Sequence, residues 1–232
     1  MFNVMLRYAE EINKSFYYEP PDWSLSHETI WETPNLKLLC FQNKNRDKKP
    51  IFVIPPNAGH HSNIAEKLIN LIAEYGFPVY SIEWLNASSC RQEEKDYSIA
   101  DMTSDISSCV EKIGEPAHFF SLCQGAWASA ISISLSPEIA LSYTNAAGPI
   151  NFQDSNGKIE NYTEMLPMNF FEAMVAMNGG IQSGDFQIAG FKNLNPIDRW
   201  IGDYQELFQA CQEEDEDKIK KWHRFKQWYE YG

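Results

Sequence analysis

The hydrophobic and polar residues of this chain alternate in a pattern that predicts strands separated by helices. Short apolar runs at residues 50–56, 78–84 and 117–120 are typical of buried strands, and residues 139–146 predict one more. The segments between these runs carry apolar residues at helical spacing and begin at residues that cap helices. This alternation indicates a parallel sheet with right-handed crossovers, in which a ligand binds at the carboxyl ends of the strands.

The two ends of the chain depart from this pattern. Residues 1–35 combine an amphipathic opening with a stretch rich in proline and aromatic residues, which predicts an extended N-terminal arm. Residues 36–152 form the predicted α/β core, with an outer strand at residues 36–42. Residues 153–232 are rich in Met, Asn, Gly and Phe and then predict two helices after Pro196, and we interpret this region as a helical cap.

A candidate nucleophile lies between one buried strand and the helix that follows it. Cys123 has Ser121 two residues before it and Gly125 two residues after it, which is the layout of the nucleophile elbow G-x-S-x-G with cysteine as the nucleophile. The elbow needs small neighbours because the nucleophile occupies a sharp, strained turn. The alternative interpretation is an inert core thiol. The alternation of strands and helices favours the elbow, since it places Cys123 at the carboxyl end of its strand, where a ligand is expected to bind.

The residues that would assist the nucleophile lie in two loops of the same edge. In an elbow of this kind the backbone N–H of the next residue, here Gln124, forms one half of the oxyanion hole. The other half comes from the loop after the first central strand, around Asn57 and Ala58. His60 and His61 follow in that loop, and they are candidates for positioning substrate or for a substitute base.

A conventional base for the nucleophile is harder to find. In this arrangement the order along the chain is nucleophile, acid, histidine, and His223 is the only histidine after Cys123. We interpret His223 as a polar residue on an exposed helix face. No histidine or carboxylate spacing indicates a metal site, and no phosphate loop or dinucleotide fingerprint is present.

Composition narrows the class of protein. The formal net charge of −13 over 232 residues argues against nucleic-acid binding. No apolar run reaches the roughly 20 residues of a membrane span, and the N-terminus does not read as a signal peptide. The five cysteines lack C-x-x-C spacing, which is typical of reduced thiols. These features predict a cytoplasmic protein without a transmembrane segment.

Several motifs together resemble the polyhydroxyalkanoate (PHA) synthase superfamily, in its synthase-like and intracellular polyhydroxybutyrate depolymerase-like branch. They are the elbow at residues 121–128, Asn-Ala-Ala-Gly-Pro-Ile at 145–150, Gly-Phe-Lys-Asn-Leu-Asn-Pro at 190–196, Trp-Glu-Thr-Pro at 31–34 and Ala-Gly-His at 58–60. The resemblance implies an α/β-hydrolase fold with a helical cap. It also implies that Cys123 carries an acyl group. No cofactor is implied, because the coenzyme A thioester is the substrate.

The resemblance leaves the direction of the reaction open. Synthases transfer a 3-hydroxyacyl group from coenzyme A to a growing polyester, whereas depolymerases and thioesterases hydrolyse the ester. The chain stops at Gly232, about where members of the family continue to the strands that carry the acid and the histidine. We therefore expect an acyltransferase or hydrolase that lacks the C-terminal strands and has little activity alone. A complementing polypeptide or homo-oligomer, a non-catalytic role as a synthase partner, and association with polymer granules are the further expectations.

Overall fold

A six-stranded sheet forms the centre of the unit built from residues 22–154. The strands are β1 (Glu28–Glu32), β2 (Leu36–Gln42), β3 (Ile51–Ile54), β4 (Val79–Trp84), β5 (Ala117–Leu122) and β6 (Ala140–Ala146). Their order in the sheet is β1-β2-β4-β3-β5-β6. β3, β4, β5 and β6 pair in parallel, whereas β1 and β2 join the sheet antiparallel. The predicted α/β class with a parallel sheet is confirmed.

The computed structural model describes most of the chain. The described residues are 1–19, 22–42, 47–57, 63–87, 96–151, 157–158, 161 and 165–230. Their α-helices are α1 (Phe2–Lys14), α2 (Asn63–Glu74), α3 (Ile99–Ile113), α4 (Gln124–Leu135), α5 (Met168–Met177), α6 (Gly184–Leu194), α7 (Asp203–Glu213) and α8 (Glu216–Glu230). The helices α2, α3 and α4 connect consecutive parallel strands, as the sequence pattern predicts.

The beginning of α3 shows how local sequence sets a helix boundary. The Ser98 hydroxyl accepts the backbone N–H of Asp101, and the Asp101 carboxylate accepts the backbone N–H of Ser98. This reciprocal capping box satisfies N–H groups that have no partner inside the helix. The helix ends at Gly114, whose φ of 90° lies in the left-handed region that glycine adopts without strain.

Successive residues of a strand point to opposite sides of the sheet, and the central strands β3, β4 and β5 are largely buried on both sides. On one face, Phe52 of β3 meets Phe119 of β5 edge to face, with ring centroids 5.4 Å apart. On the other face, Val53 belongs to the cluster that includes Ile69 of α2 and Leu122 of β5. Both clusters include residues of β3 and β5, so they fix the positions of these two strands.

The second unit combines residues 1–21 with residues 155–232. Its core is formed by α1, α7 and α8 around Leu207, Ala210, Cys211, Ile219 and Trp222. His223 of α8 bonds to the Glu11 carboxylate through Nε2 at 2.7 Å and to the Tyr18 hydroxyl through Nδ1 at 2.6 Å. Its side chain is 19% exposed. The interpretation of His223 as a residue on an exposed face is therefore wrong, because the N-terminal segment covers it.

Several elements differ from the sequence-based expectation. The segment predicted as an arm, residues 1–35, contains helix α1 and strand β1, and these lie in different units. β1 pairs beyond β2, so β2 is not the outermost strand. Residues 165–230 are largely helical, and their role as a cap stays a prediction. Among the described residues, no helix has the length and apolar character needed to span a membrane.

We expect the replacement Leu38→Ala to lower the free energy of unfolding by about 2–5 kcal/mol, since it leaves a cavity between β1, β4 and the helices above them. Leu38 is fully buried in the larger core cluster. Leu71→Ala is the matched control, because Leu71 of α2 is 50% exposed, and its effect should stay within about 0.5 kcal/mol. Urea unfolding followed by circular dichroism measures both. Equal losses for the two variants would contradict this description of the core.

Candidate active site

Cys123 joins β5 to α4 in a strained backbone conformation. Its φ of 50° and ψ of −120° lie in a region that residues other than glycine rarely adopt, at a cost of about 1–3 kcal/mol. Two hydrogen bonds hold the turn. The Cys123 N–H donates to the Ala146 carbonyl at 2.9 Å, and the Cys123 carbonyl accepts the Ala126 N–H at 3.0 Å. The side chain of Cys123 is exposed. The arrangement of strand, strained turn and helix is that of a nucleophile elbow.

Gly125 allows the first turn of α4 to approach the end of β3. A Cβ atom at position 125 would lie 2.7 Å from the Pro55 carbonyl oxygen and would also collide with the Ile54 carbonyl oxygen. The Pro55 oxygen is held in place by the indole N–H of Trp84, which donates to it at 3.0 Å. The obstacle is thus fixed backbone, and glycine is the residue that fits beside it.

Ser121 explains why the first glycine of the elbow pattern can be replaced. Its hydroxyl donates to the Ser129 hydroxyl oxygen at 2.7 Å, and the Ser129 hydroxyl donates to the Gly125 carbonyl at 2.7 Å. Both serines are fully buried. The chain of hydrogen bonds ties the strand before Cys123 to the helix after it, so a small polar residue stabilises the turn that a glycine would only permit.

The end of β6 supports the elbow from the other side. The Tyr143 hydroxyl donates to the Ala126 carbonyl at 2.7 Å. After the strand, Ala147 has a φ of 54°, and the Asn145 side chain accepts the Gly148 N–H at 2.8 Å. A Cβ atom at Gly148 would collide with the Cβ atom of Ala126. The loop after β6 is therefore packed tightly against the start of α4.

The two residues whose backbone N–H groups are the predicted oxyanion donors contact each other through a side chain. The backbone N–H of Asn57 donates to the side-chain carbonyl oxygen of Gln124 at 3.1 Å. The Gln124 side chain thus accepts the hydrogen bond from an N–H group that the sequence-based prediction assigns to the substrate oxyanion. Sequence reasoning selected Gln124 for its backbone N–H and missed the role of its carboxamide. The remaining candidates of this loop, Ala58, His60 and His61, lie outside the described residues.

The other described thiols differ from Cys123 in exposure. Cys109 and Cys211 are buried, and Cys40 is partly buried. Burial raises the pKa of both the Cys109 and the Cys211 thiols, because it disfavours the charged thiolate. Since the thiolate is the reactive form, burial lowers the reactivity of these two thiols. Among the described cysteines, Cys123 is the exposed one.

The described histidines form hydrogen bonds with groups other than Cys123. His27 faces the Leu25 carbonyl at 3.3 Å, and His118 shares a 2.8 Å hydrogen bond with the Ser142 hydroxyl. His223 bonds to Glu11 and Tyr18, which belong to its own unit, as described above. In the parts of the chain that the structure describes, no cluster of three His, Cys, Asp or Glu residues could hold a metal ion. The site is thus defined by a thiol, the start of a helix and the loop after β3.

Neither protein-family models nor curated proteins give a match. Among solved structures, a monoacylglycerol lipase from Paleococcus ferrophilus is 20% identical with a TM-score of 0.43, and the match covers 53% of this chain and 47% of that one. A carboxylesterase structure from Nitrososphaera gargenis is 17% identical with a TM-score of 0.46, covering 67% and 54%. A lipase candidate (lip1) from Acinetobacter baumannii is 14% identical with a TM-score of 0.48, covering 96% and 68%.

The chain thus spans between about half and two thirds of the length of these solved structures. The assignment of its fold rests on its own geometry. The parallel sheet, the strained Cys123 turn after β5 and the adjacent loop after β3 together form the α/β-hydrolase fold.

The replacement Gly125→Ala should destabilise the protein by about 1–3 kcal/mol, because the new methyl group forces α4 away from the carbonyls of β3. It should also change the rate at which a thiol reagent modifies Cys123. Gly190→Ala is the matched control within a helix, since a Cβ atom there meets nothing within 4 Å. That control should be neutral or slightly stabilising. Urea unfolding and thiol labelling measure the two effects, and a neutral Gly125→Ala would refute the close approach.

Proposed function

We propose that the protein is an acyltransferase similar to PHA synthases, in which Cys123 accepts a 3-hydroxyacyl group from a coenzyme A thioester. The observation that carries the proposal is the exposed thiol at a residue with a φ of 50°, between a parallel strand and a helix. Backbone strain of this kind persists where the surrounding structure enforces it, and such positions cluster at active sites. The likeness of residues 121–128 to the synthase elbow supports a coenzyme A thioester as the acyl donor.

The proposed first step transfers the acyl group between two sulfur atoms. The Cys123 thiolate attacks the thioester carbonyl carbon, and a carbon–sulfur bond to Cys123 forms. The bond to the sulfur of coenzyme A breaks, and the leaving thiolate takes up the proton that Cys123 gave up. In the second step a hydroxyl group of another 3-hydroxyacyl unit attacks the acyl-cysteine, forms the ester and releases the thiol. Water in place of that hydroxyl turns the same site into a thioesterase or depolymerase.

The negative oxygen formed in each step needs hydrogen-bond donors. The N–H groups of Gln124 and of Asn57, with Ala58 beside it, are the proposed donors. The Asn57 N–H bonds to the Gln124 side chain in the present arrangement. We infer that the Gln124 carboxamide turns away when the substrate carbonyl arrives, so that the N–H exchanges one oxygen acceptor for another.

The proton transfers need a base, for which His60 and His61 are the candidates on this chain. They follow Asn57 in the loop after β3. A complementing polypeptide that supplies an acid and a histidine is the other proposed source. A positioned base contributes roughly 10²- to 10⁴-fold to such reactions, so we expect the isolated chain to be acylated slowly.

Incubation of the protein with 3-hydroxybutyryl-coenzyme A should produce a covalent adduct on Cys123 and release free coenzyme A. Intact-mass spectrometry with peptide mapping measures the adduct, and liquid chromatography measures coenzyme A. Cys123→Ala should lose the adduct. Cys40→Ala should keep it, because the Cys40 thiol lies on strand β2 away from the elbow.

The absence of an adduct would overturn the proposal of a nucleophile and would favour a non-catalytic partner of a synthase. Adducts that persist in Cys123→Ala would show unspecific thiol acylation and would also overturn it. Free coenzyme A and free acid without polyester would retain Cys123 as nucleophile and would replace the acyltransferase by a hydrolase.

The two replacements Gln124→Glu and Gln124→Ala should have opposite effects on the rate of Cys123 acylation. A glutamate has the same shape, but its carboxylate holds the Asn57 N–H more strongly and repels the developing oxyanion, so the rate should fall about tenfold or more. An alanine removes the competing acceptor, so the rate should be unchanged or higher. The amount of adduct as a function of time measures both variants. A tenfold loss in Gln124→Ala would show that the carboxamide itself assists the reaction.

A further inference from the structure

A chain of hydrogen bonds leads from two buried serines to the turn that carries the thiol. The Ser129 hydroxyl donates to the Gly125 carbonyl at 2.7 Å, and the Ser121 hydroxyl donates to the Ser129 oxygen at 2.7 Å. The Gly125 carbonyl and the Ala126 N–H belong to the same peptide group, and this N–H donates to the Cys123 carbonyl at 3.0 Å. The chain of bonds therefore runs from the Ser121 hydroxyl to the carbonyl of the nucleophile residue.

The direction of each bond between the side chains is fixed. A carbonyl oxygen only accepts, so the single hydroxyl proton of Ser129 points to the Gly125 carbonyl, and Ser121 supplies the proton between the two serines. Both serines are fully buried, so water does not compete for these bonds. In such surroundings consecutive hydrogen bonds polarise one another, and each bond strengthens the next by about 10–30%.

The last peptide group of the chain contains the proposed oxyanion donor. The Cys123 carbonyl and the Gln124 N–H share one peptide group, so a stronger bond from the Ala126 N–H to that carbonyl leaves the Gln124 N–H more positive. We propose that Ser129, supported by Ser121, is a positioning residue that strengthens the hydrogen bond from the Gln124 N–H to the oxyanion. This inference rests on the proposed role of Cys123 as the nucleophile.

Another hydroxyl of α4 provides a matched control. The Ser134 hydroxyl donates to the Ala130 carbonyl at 2.7 Å, which is the same four-residue step as the bond from Ser129 to Gly125. In an α-helix each N–H bonds to the carbonyl four residues earlier, so the row of bonds that begins at the Ala130 carbonyl leads to the Gly125 N–H. Ser134 thus makes the same kind of bond in the same helix without acting on the Gln124 N–H.

Two reactions of Cys123 separate an effect on the oxyanion from an effect on the thiol. With p-nitrophenyl acetate, the thiolate attacks the ester carbonyl carbon and forms an oxyanion, whose collapse to the acetyl thioester expels p-nitrophenolate. With iodoacetamide, the thiolate displaces iodide from a saturated carbon, so no oxyanion forms. Peptide mapping by mass spectrometry gives both rates at Cys123. Each rate is taken at the high-pH plateau of its pH profile, so that the fraction of thiolate does not enter.

Ser129→Ala should lower the rate of acetylation about two- to fivefold and leave the rate of alkylation unchanged. Loss of a whole oxyanion donor costs about 10²- to 10³-fold, and Ser129 strengthens that donor without being the donor itself. Ser121→Ala should cause a smaller loss, because Ser129 keeps its own bond to the Gly125 carbonyl. Ser134→Ala should leave both rates unchanged.

Circular dichroism shows whether each variant folds, and Ser121→Ala carries the test if Ser129→Ala is misfolded. Equal losses of acetylation and alkylation would indicate a purely structural role and would overturn the proposal. Unchanged acetylation in both variants, or equal slowing in Ser134→Ala, would also overturn it. If the ester acetylates Cys123 but 3-hydroxybutyryl-coenzyme A does not acylate it, the proposed acyl transfer fails and the acetylation rates still decide the role of Ser129. A Cys123 that neither reagent acylates would overturn both proposals.

Discussion

The strained backbone of Cys123 is the constraint on which the other features of the site depend. A non-glycine residue with a φ of 50° persists only where its neighbours cost more to move than the strain itself. Here the neighbours are the carbonyl oxygens at the end of β3, which leave room for glycine alone at position 125, and the Ala146 carbonyl, which accepts the Cys123 N–H. The sheet below is buried on both faces, so neither strand end can shift without disturbing the core.

The features that arise from local sequence could be predicted without the structure. Apolar runs report burial, so the four parallel strands and the three crossover helices follow from the hydrophobic pattern. The capping box at Ser98 and Asp101 needs only residues three apart in the chain, so it too is a local feature of the sequence. The elbow is local too, because the small residues at positions 121 and 125 are required by the turn itself.

The features that the sequence did not reveal depend on residues far apart in the chain. His223 lies 212 positions from Glu11, and no periodicity connects the two. β1 is short and polar at both ends, as edge strands are, so it does not produce the apolar run of a buried strand. The contact between the Gln124 side chain and the Asn57 N–H joins the start of α4 to the loop after β3, 67 positions apart in the chain. Spacing alone cannot predict such contacts, because it carries no information on which loops meet.

β6, the strand that supports the elbow, lies at one edge of the described sheet. β6 provides the Ala146 carbonyl that accepts the Cys123 N–H and the Tyr143 hydroxyl that bonds to the Ala126 carbonyl. An edge strand pairs on one side only, so its end opens more readily than that of a central strand. A second strand paired to β6 would restrict this opening. Pairing at the edge and the geometry of the thiol are then coupled through the same seven residues. A strand that pairs with β6 would therefore hold Cys123 in its strained conformation more firmly.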